Sequence, residues 1–291
     1  MRVNVSRKMS KPILSVLLPA SLTAEEPDLQ RKTLKVGLIG RALAIFRVDK
    51  VIIYLDDDPK VQNQEAEASL VEKLLRYMET PQYLRKLLLP RMKELRYAGL
   101  LPPLRTPHHP RRDERVRSGD HREAVVVEVN RSGSLLELGL KEKGFTRHRL
   151  KVGQRLTVRL GERLGSGRIA VEPVRREEIG EYWGYEVFTA EGLAKALRSL
   201  RADYAIGTSK YGKNIYEAVR GIKDNKPASV AIAFGGPHQG LFEICRHQGV
   251  DAEELFDAVV NTIPQQGTET VRTEEALIAT LALLNALVWV E

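Results

Sequence analysis

Hydrophobic and polar positions divide the chain into three stretches with different periods. The first opens on Ile13–Leu18, an apolar run that reads as a buried strand. Leu29, Val36, Ile39, Leu43 and Phe46 follow at helical spacing, and Thr23 is placed to cap that helix, with Glu25, Glu26 and Asp28 favouring its positive end. Val51–Tyr54 is a second buried strand, closed by Asp56-Asp57-Asp58-Pro59. Gln62 to Met78 reads as an amphipathic helix. Leu84, Leu87, Leu88, Met92 and Leu95 extend a helical pattern that Pro90 must start or kink. After the proline-rich linker Pro102–Pro110 the period shortens. The runs EAVVVEV, SLLELGL, QRLTVRL and GRIAVEPV, separated by glycine turns, predict a small antiparallel barrel ending near Arg176. EYWGYEV (Glu181–Val187) leads back to α/β patterning.

The last third carries the strongest pattern. DYAIGTSKYG (Asp203–Gly212), SVAIAFGGPHQG (Ser229–Gly240) and DAVVNTIPQQGTETVRTEEA (Asp257–Ala276) are short apolar runs that each end in a small or polar cluster. Such runs read as buried parallel strands. Ligands of open α/β sheets sit outside the carboxyl ends of the strands, so these three loops are expected around one small molecule. None is a G-x-G-x-x-G fingerprint or a P-loop, which points to a nucleoside without phosphate. The predicted class is α/β, a parallel sheet flanked by helices with an inserted small β-barrel.

Charge adds a partner to this picture. The 291 residues carry a net charge of +8, and most of the excess falls in the inserted segment. A basic barrel with arginines around Phe145 and His148 suits single-stranded nucleic acid, though a solvated surface has the same composition. The single cysteine, Cys245, excludes an internal disulfide framework and a Cys-rich zinc site, and its apolar surroundings read as core. His108 and His109 are adjacent and have no partner at metal-ligand spacing, so no metal is expected. Ala276–Val290 falls short of the roughly 20 residues that span a bilayer and reads as a buried helix. With no apolar signal segment after the basic start, the expected compartment is cytoplasmic.

Several residues stand out for chemistry. In FGGPHQG the glycines let backbone approach a ligand, although any tight strand-to-helix turn uses the same residues. His238 in this loop is a possible base or a loop hydrogen-bonding group. Arg41, on an apolar helix face, needs an anionic partner such as a buried carboxylate, or a water-filled cleft. Lys210 and Lys213 follow Gly207-Thr208-Ser209, where phosphate contact and plain solvation are both open.

These segments resemble the SPOUT-class RNA methyltransferases, in the archaeal and eukaryotic group with an inserted OB-like domain. The resemblance rests on LLPASL (Leu17–Leu22), TLKVGLIGRALAIFRVDKVIIY (Thr33–Tyr54), YMETPQYLRKLLLPRMKELRYAGLLPPLRTPHH (Tyr77–His109) and the three loops above. It implies a trefoil-knotted SPOUT domain split as 1–108 and 181–291 around an RNA-binding OB-like barrel at 109–180. It implies a homodimer that acts on RNA, ribosomal RNA above all, with no membrane or DNA partner. S-adenosyl-L-methionine is the implied cofactor, with Gly207, Thr208, Gly235, Gly236, Asn261, Ile263, Gln266, Gly267 and Thr268 as its contacts. Arg41 is carried over as the catalytic residue. The implied RNA contacts are Arg105, His108, Arg111, Arg112, Arg115, Lys143, Arg147, Arg149 and Lys210. N3 of a uridine is the preferred acceptor and the ribose 2′-hydroxyl the second choice. The alternative is a non-catalytic ribosome-assembly factor that retains the fold.

Overall fold

The computed structural model describes residues 11–110, 115–165 and 167–289. In chain order the first elements are β1 (Ile13–Pro19), α1 (Leu29–Ile45), β2 (Lys50–Tyr54), α2 (Gln64–Glu79) and the single turn α3 (Arg85–Leu88). Five strands follow: β3 (His121–Asn130), β4 (Gly133–Glu137), β5 (Lys143–Thr146), β6 (Arg155–Leu164) and β7 (Arg168–Val174). The remainder is β8 (Glu186–Ala190), α4 (Leu193–Leu200), β9 (Tyr204–Asn214), α5 (Tyr216–Asn225), β10 (Ser229–Ala233), α6 (Leu241–His247), α7 (Ala252–Leu255), β11 (Ala258–Asn261) and α8 (Thr273–Leu287). These elements form two compact units. One comprises the chain up to Glu72 and from Glu186 onward; the other is Lys73–Tyr185.

The first unit is a six-stranded sheet in the order β11-β9-β10-β1-β2-β8. All five pairings are parallel. Parallel strands are covered on both faces, which is why β1 and β10 are almost continuously apolar. Leu14, Val16, Leu17 and Leu18 of β1 and Val230 to Ala233 of β10 are wholly buried. On one face Leu17, Ile52, Tyr54, Leu193, Leu241, Ile244, Cys245 and Phe256 form one cluster. Cys245 is thus a core residue, and burial pushes its thiol up to about 11.

One cap differs from the sequence reading. Asp28, not Thr23, caps α1, accepting from the Arg31 amide at 2.8 Å. Thr23 instead donates to Glu67 at 2.7 Å. At α8, Glu275 accepts from the Arg272 amide at 2.9 Å, while Thr273 turns its hydroxyl elsewhere. Pro90 stops the preceding helix instead of starting or kinking a longer one. It has no amide hydrogen and disfavours helical backbone at the residue before it, and Leu89 is extended at φ −121°.

The second unit contains a closed five-stranded barrel in the order β3-β4-β5-β7-β6. Ala124, Val126, Leu136, Leu138, Val158, Leu160, Ile169 and Val171 fill it. β5 was not visible as an apolar run, since Phe145 is its one large apolar residue. It pairs in parallel with β7, so the barrel is not wholly antiparallel.

A buried ion network also lies in this unit. Arg155 binds Glu79 through two nitrogens at 2.6 and 2.9 Å and reaches Glu123 at 2.5 Å. Thr157 and Trp183 donate to the other Glu123 oxygen at 2.5 and 2.8 Å. Burial alone would raise the Glu123 carboxyl, but Arg155 and Arg176 outweigh it and hold it at about 2. His108 and His109 both donate from Nε2 to the Glu79 carbonyl, at 3.0 and 2.8 Å. Burial lowers both rings to about 4, so they are neutral at neutral pH.

Candidate functional site

The three loops expected to meet do meet. In the first unit, at the carboxyl ends of β9, β10 and β11, they enclose a cavity of about 620 Å³. That volume is in the range that holds a nucleoside-sized molecule. Thr208 to Tyr211 of β9 form one wall, and the β10–α6 loop from Phe234 to Gly240 forms another. Asn261, Ile263 and Gln266 after β11 form a third, closed by Thr273 and Ala276 of α8.

Each loop is fixed by side chains that reach a neighbouring backbone. The buried Tyr54 hydroxyl donates to the Phe234 carbonyl at 2.6 Å. The Thr208 hydroxyl donates to Ala233 O at 2.9 Å, and that of Thr273 to Gly235 O at 3.0 Å. Asn261 donates from Nδ2 to Lys210 O and accepts from the Ile263 amide, both at 2.9 Å. Gln266 closes its own loop by donating to the Thr268 and Glu269 carbonyls at 2.9 and 3.0 Å. The lining is therefore set before any ligand arrives.

One lining group is left open. Gln239 is 5% exposed, yet neither its Oε1 nor its Nε2 has a hydrogen-bond partner within the protein. A buried carboxamide without partners costs on the order of 1–3 kcal/mol, which a ligand with a matching donor and acceptor removes.

Below the glycine loop lies a polar cluster. Asp56 accepts from the Ser21 amide at 3.1 Å and from the Ser21 hydroxyl at 2.6 Å. Burial, with Asp58 adding to it, pushes Asp56 up to about 6 against the pull of the Ser21 bonds. Asp58 accepts from the Lys60 amide at 2.9 Å and faces His238 Nδ1 at 2.8 Å.

Of the expected cofactor contacts, Thr208, Gly235, Gly236, Asn261, Ile263 and Gln266 line the cavity. Gly207 lies behind it, where an added Cβ would stand 2.5 Å from Leu241 Cδ2 and 3.0 Å from the Phe256 ring. Gly267 and Thr268 belong to the same loop as Gln266 and are exposed outside the lining. Arg41 is half-buried in α1 and does not line the cavity. Lys210 does line it, with its ammonium 5.2 Å from the centre of the Tyr211 ring.

The expected RNA contacts divide by exposure. Arg105, Arg115, Arg147 and Arg149 are exposed. Lys143 is paired with Glu137. Arg111 and Arg112 lie outside the described residues. His108 is corrected: it is 1% exposed and turned onto the Glu79 carbonyl, so no RNA reaches it. Arg122 is likewise buried, donating to Leu138 O at 2.6 Å. Asp58, Gln239 and Tyr211 escaped the sequence reading. The run Asp56-Asp57-Asp58 was the available signal for Asp58, but it reads equally as a solvated strand end.

Fold and cavity define an α/β protein with a nucleoside-sized cavity beyond the carboxyl ends of a parallel sheet. The chain belongs to the family of putative RNA methyltransferases, whose model matches residues 13–284. It is 36% identical over 306 residues to the 28S rRNA (uridine-N(3))-methyltransferase of Homo sapiens, covering 94% of this chain and 77% of that protein. The Mus musculus protein of the same name is 35% identical over 308 residues, covering 94% and 76%. An uncharacterized protein of Halobacterium salinarum is 35% identical over 291 residues, covering 93% and 98%. The chain is accordingly an enzyme that transfers methyl groups, as the resemblance implied. Among the described residues no helix is long and apolar enough to cross a membrane.

Proposed function

We propose that this chain methylates ribosomal RNA at N3 of a uridine, with S-adenosyl-L-methionine as methyl donor bound in the three-loop cavity. The observation that carries the reading is the preformed cavity with the unpaired Gln239 amide inside it. Its volume, its fixed backbone carbonyls and amides, and the orphaned carboxamide fit an adenosine-bearing ligand. The donor supplies an electrophilic methyl group when bound. Asn261 and Thr273 hold the walls that orient it. Positioning two reactants in one site supplies much of the rate in such a transfer. The 28S rRNA (uridine-N(3))-methyltransferase relatives support the acceptor.

The closed barrel, with its first-second-third-fifth-fourth strand order, serves as an OB-type RNA-binding domain, with Arg147 and Arg149 on its surface. The six-stranded unit is the SPOUT domain with its knot at the β9–β11 end. Leu34, Leu38 and Ile45 are 47%, 48% and 58% exposed on α1. With Arg41 they fall at helical spacing along one stripe, and Ile278 is exposed on α8, which packs against α1. This stripe forms the homodimer contact, and it brings Arg41 to the partner, where it meets the target phosphate.

Calorimetric titration with S-adenosyl-L-methionine tests the cavity, beside Asn261→Ala and Gly236→Trp. Saturable binding to the wild type, lost in Gly236→Trp and weakened about tenfold or more in Asn261→Ala, is expected from loss of one loop-fixing hydrogen-bond pair. Primer extension on the methylated RNA then locates the acceptor, since a methyl on N3 blocks base pairing and one on the ribose leaves pairing intact. A folded protein that binds no donor would sink the proposal.

A further inference from the structure

We propose that His238, held by Asp58, is the base that takes the proton from the acceptor nitrogen. This rests on the cavity being the methyl-transfer site. A uridine N3 carries a hydrogen, and its lone pair becomes a nucleophile only as that proton leaves. The reaction therefore needs a proton acceptor at the cavity wall.

His238 meets that need by geometry. It lies on the cavity lining, and its side chain is 24% exposed, while that of Asp58 is fully buried. One Asp58 oxygen accepts from the Lys60 amide and the other stands 2.8 Å from His238 Nδ1. The interior carboxylate is thus an acceptor on both oxygens, and Nδ1 carries the hydrogen between the two groups. The lone pair of the neutral ring is left on Nε2. Other titratable groups around the loop are less suited. Lys210 and Arg246 are cations without a lone pair to offer. Glu243 already accepts from the Gly240 amide at 2.9 Å. Asp56 is tied to Ser21 beneath the loop, and Tyr211 stands out at 77% exposure.

In the step, the N3 proton passes to Nε2 and the N3 lone pair bonds to the methyl carbon. The methyl–sulfur bond breaks, its electrons staying on sulfur as a neutral thioether. The imidazolium is stabilised by the Asp58 carboxylate and later returns its proton to water.

The test uses the full chain with His238→Gln, whose amide still reaches Asp58 but cannot take a proton, and with Asp58→Asn. Single-turnover transfer of labelled methyl from S-adenosyl-L-methionine to unmodified large-subunit ribosomal RNA should fall about 100-fold or more in His238→Gln. Affinity for S-adenosylhomocysteine should stay within about twofold, the split that separates chemistry from binding. Nitrogen NMR of the wild type should show the Nδ1–H tautomer. Asp58→Asn should keep donor binding and lose rate together with that tautomer preference. An unchanged rate in His238→Gln overturns the assignment, as does an equal loss of rate and affinity, which marks a structural role. Donor binding without methyl transfer to RNA by the wild type overturns the parent reading, and the base falls with it.

Discussion

Gly236 is a glycine because of what lies beneath it. A Cβ there would stand 2.5 Å from the Ser21 hydroxyl and 3.3 Å from Asp56, both buried and bonded to each other. Gly236→Ala must move that pair, and overpacking of this kind costs about 1–3 kcal/mol. Urea unfolding should show the loss, and donor affinity should fall with it because the same loop forms the cavity wall. The Gly-Gly-Pro turn itself was legible in the sequence, but the reason given for it was close approach of a ligand. The packing reason was not legible, since Ser21 and Gly236 are neighbours only in space. His108 teaches the same point. The family resemblance implied an RNA contact there, whereas the Glu79 carbonyl that captures it lies on a different element.

Among elements, the end of α2 and strands β3 and β6 share the Glu79–Arg155–Glu123 network. Removing one partner from such a buried cluster strands an uncompensated charge and typically costs about 3–5 kcal/mol. Arg155→Ala should lower the unfolding free energy measured by urea denaturation by that much, more than any exposed arginine of the barrel. The same elements should make the Lys73–Tyr185 unit acid-sensitive. Between about pH 6.5 and 4 the unfolded chain binds protons that His108 and His109 refuse in the fold, so stability drops as pH falls. Glu123, held at about 2, extends the loss from about 4.5 downward. Asp56 has the opposite sign: its folded form takes a proton at about 6, so the sheet unit gains stability as pH falls from there toward about 4. Hydrogen exchange followed from pH 7 to 4 should therefore show barrel amides losing protection first. Long apolar runs such as β1, β10 and the barrel's β3 and β6 were readable from periodicity. β5 was not, because a four-residue strand with one aromatic ring has no period to read, and its parallel partner is set by closure of the barrel.

For the whole molecule, the parallel sheet, the inserted barrel and the cavity at the strand ends were all expected from the order of patterns, because each follows from local periodicity plus general sheet geometry. Charge pairing across distant segments was not, and it decided which cations remain exposed. The α1 stripe adds a prediction about assembly. If the proposed α1 contact forms the dimer, Leu38→Glu places a charge on it and should shift the protein from dimer to monomer in sedimentation velocity, with the fold retained in circular dichroism. An unchanged sedimentation coefficient would remove α1 from the contact. The strand order has one more consequence, which concerns time. Ile13 pairs with Ser229 and Lys50 with Glu186, so β1 and β2 are flanked on both sides by strands from much later in the chain. On the ribosome, β1 and β2 emerge early and must wait, with one flank open, for most of the chain to be translated. The Lys73–Tyr185 unit is continuous in sequence and needs no later segment. The enzyme is thus born from the inside out: its barrel unit is complete while its sheet unit is still half made, and the nascent chain depends on protection of that early edge.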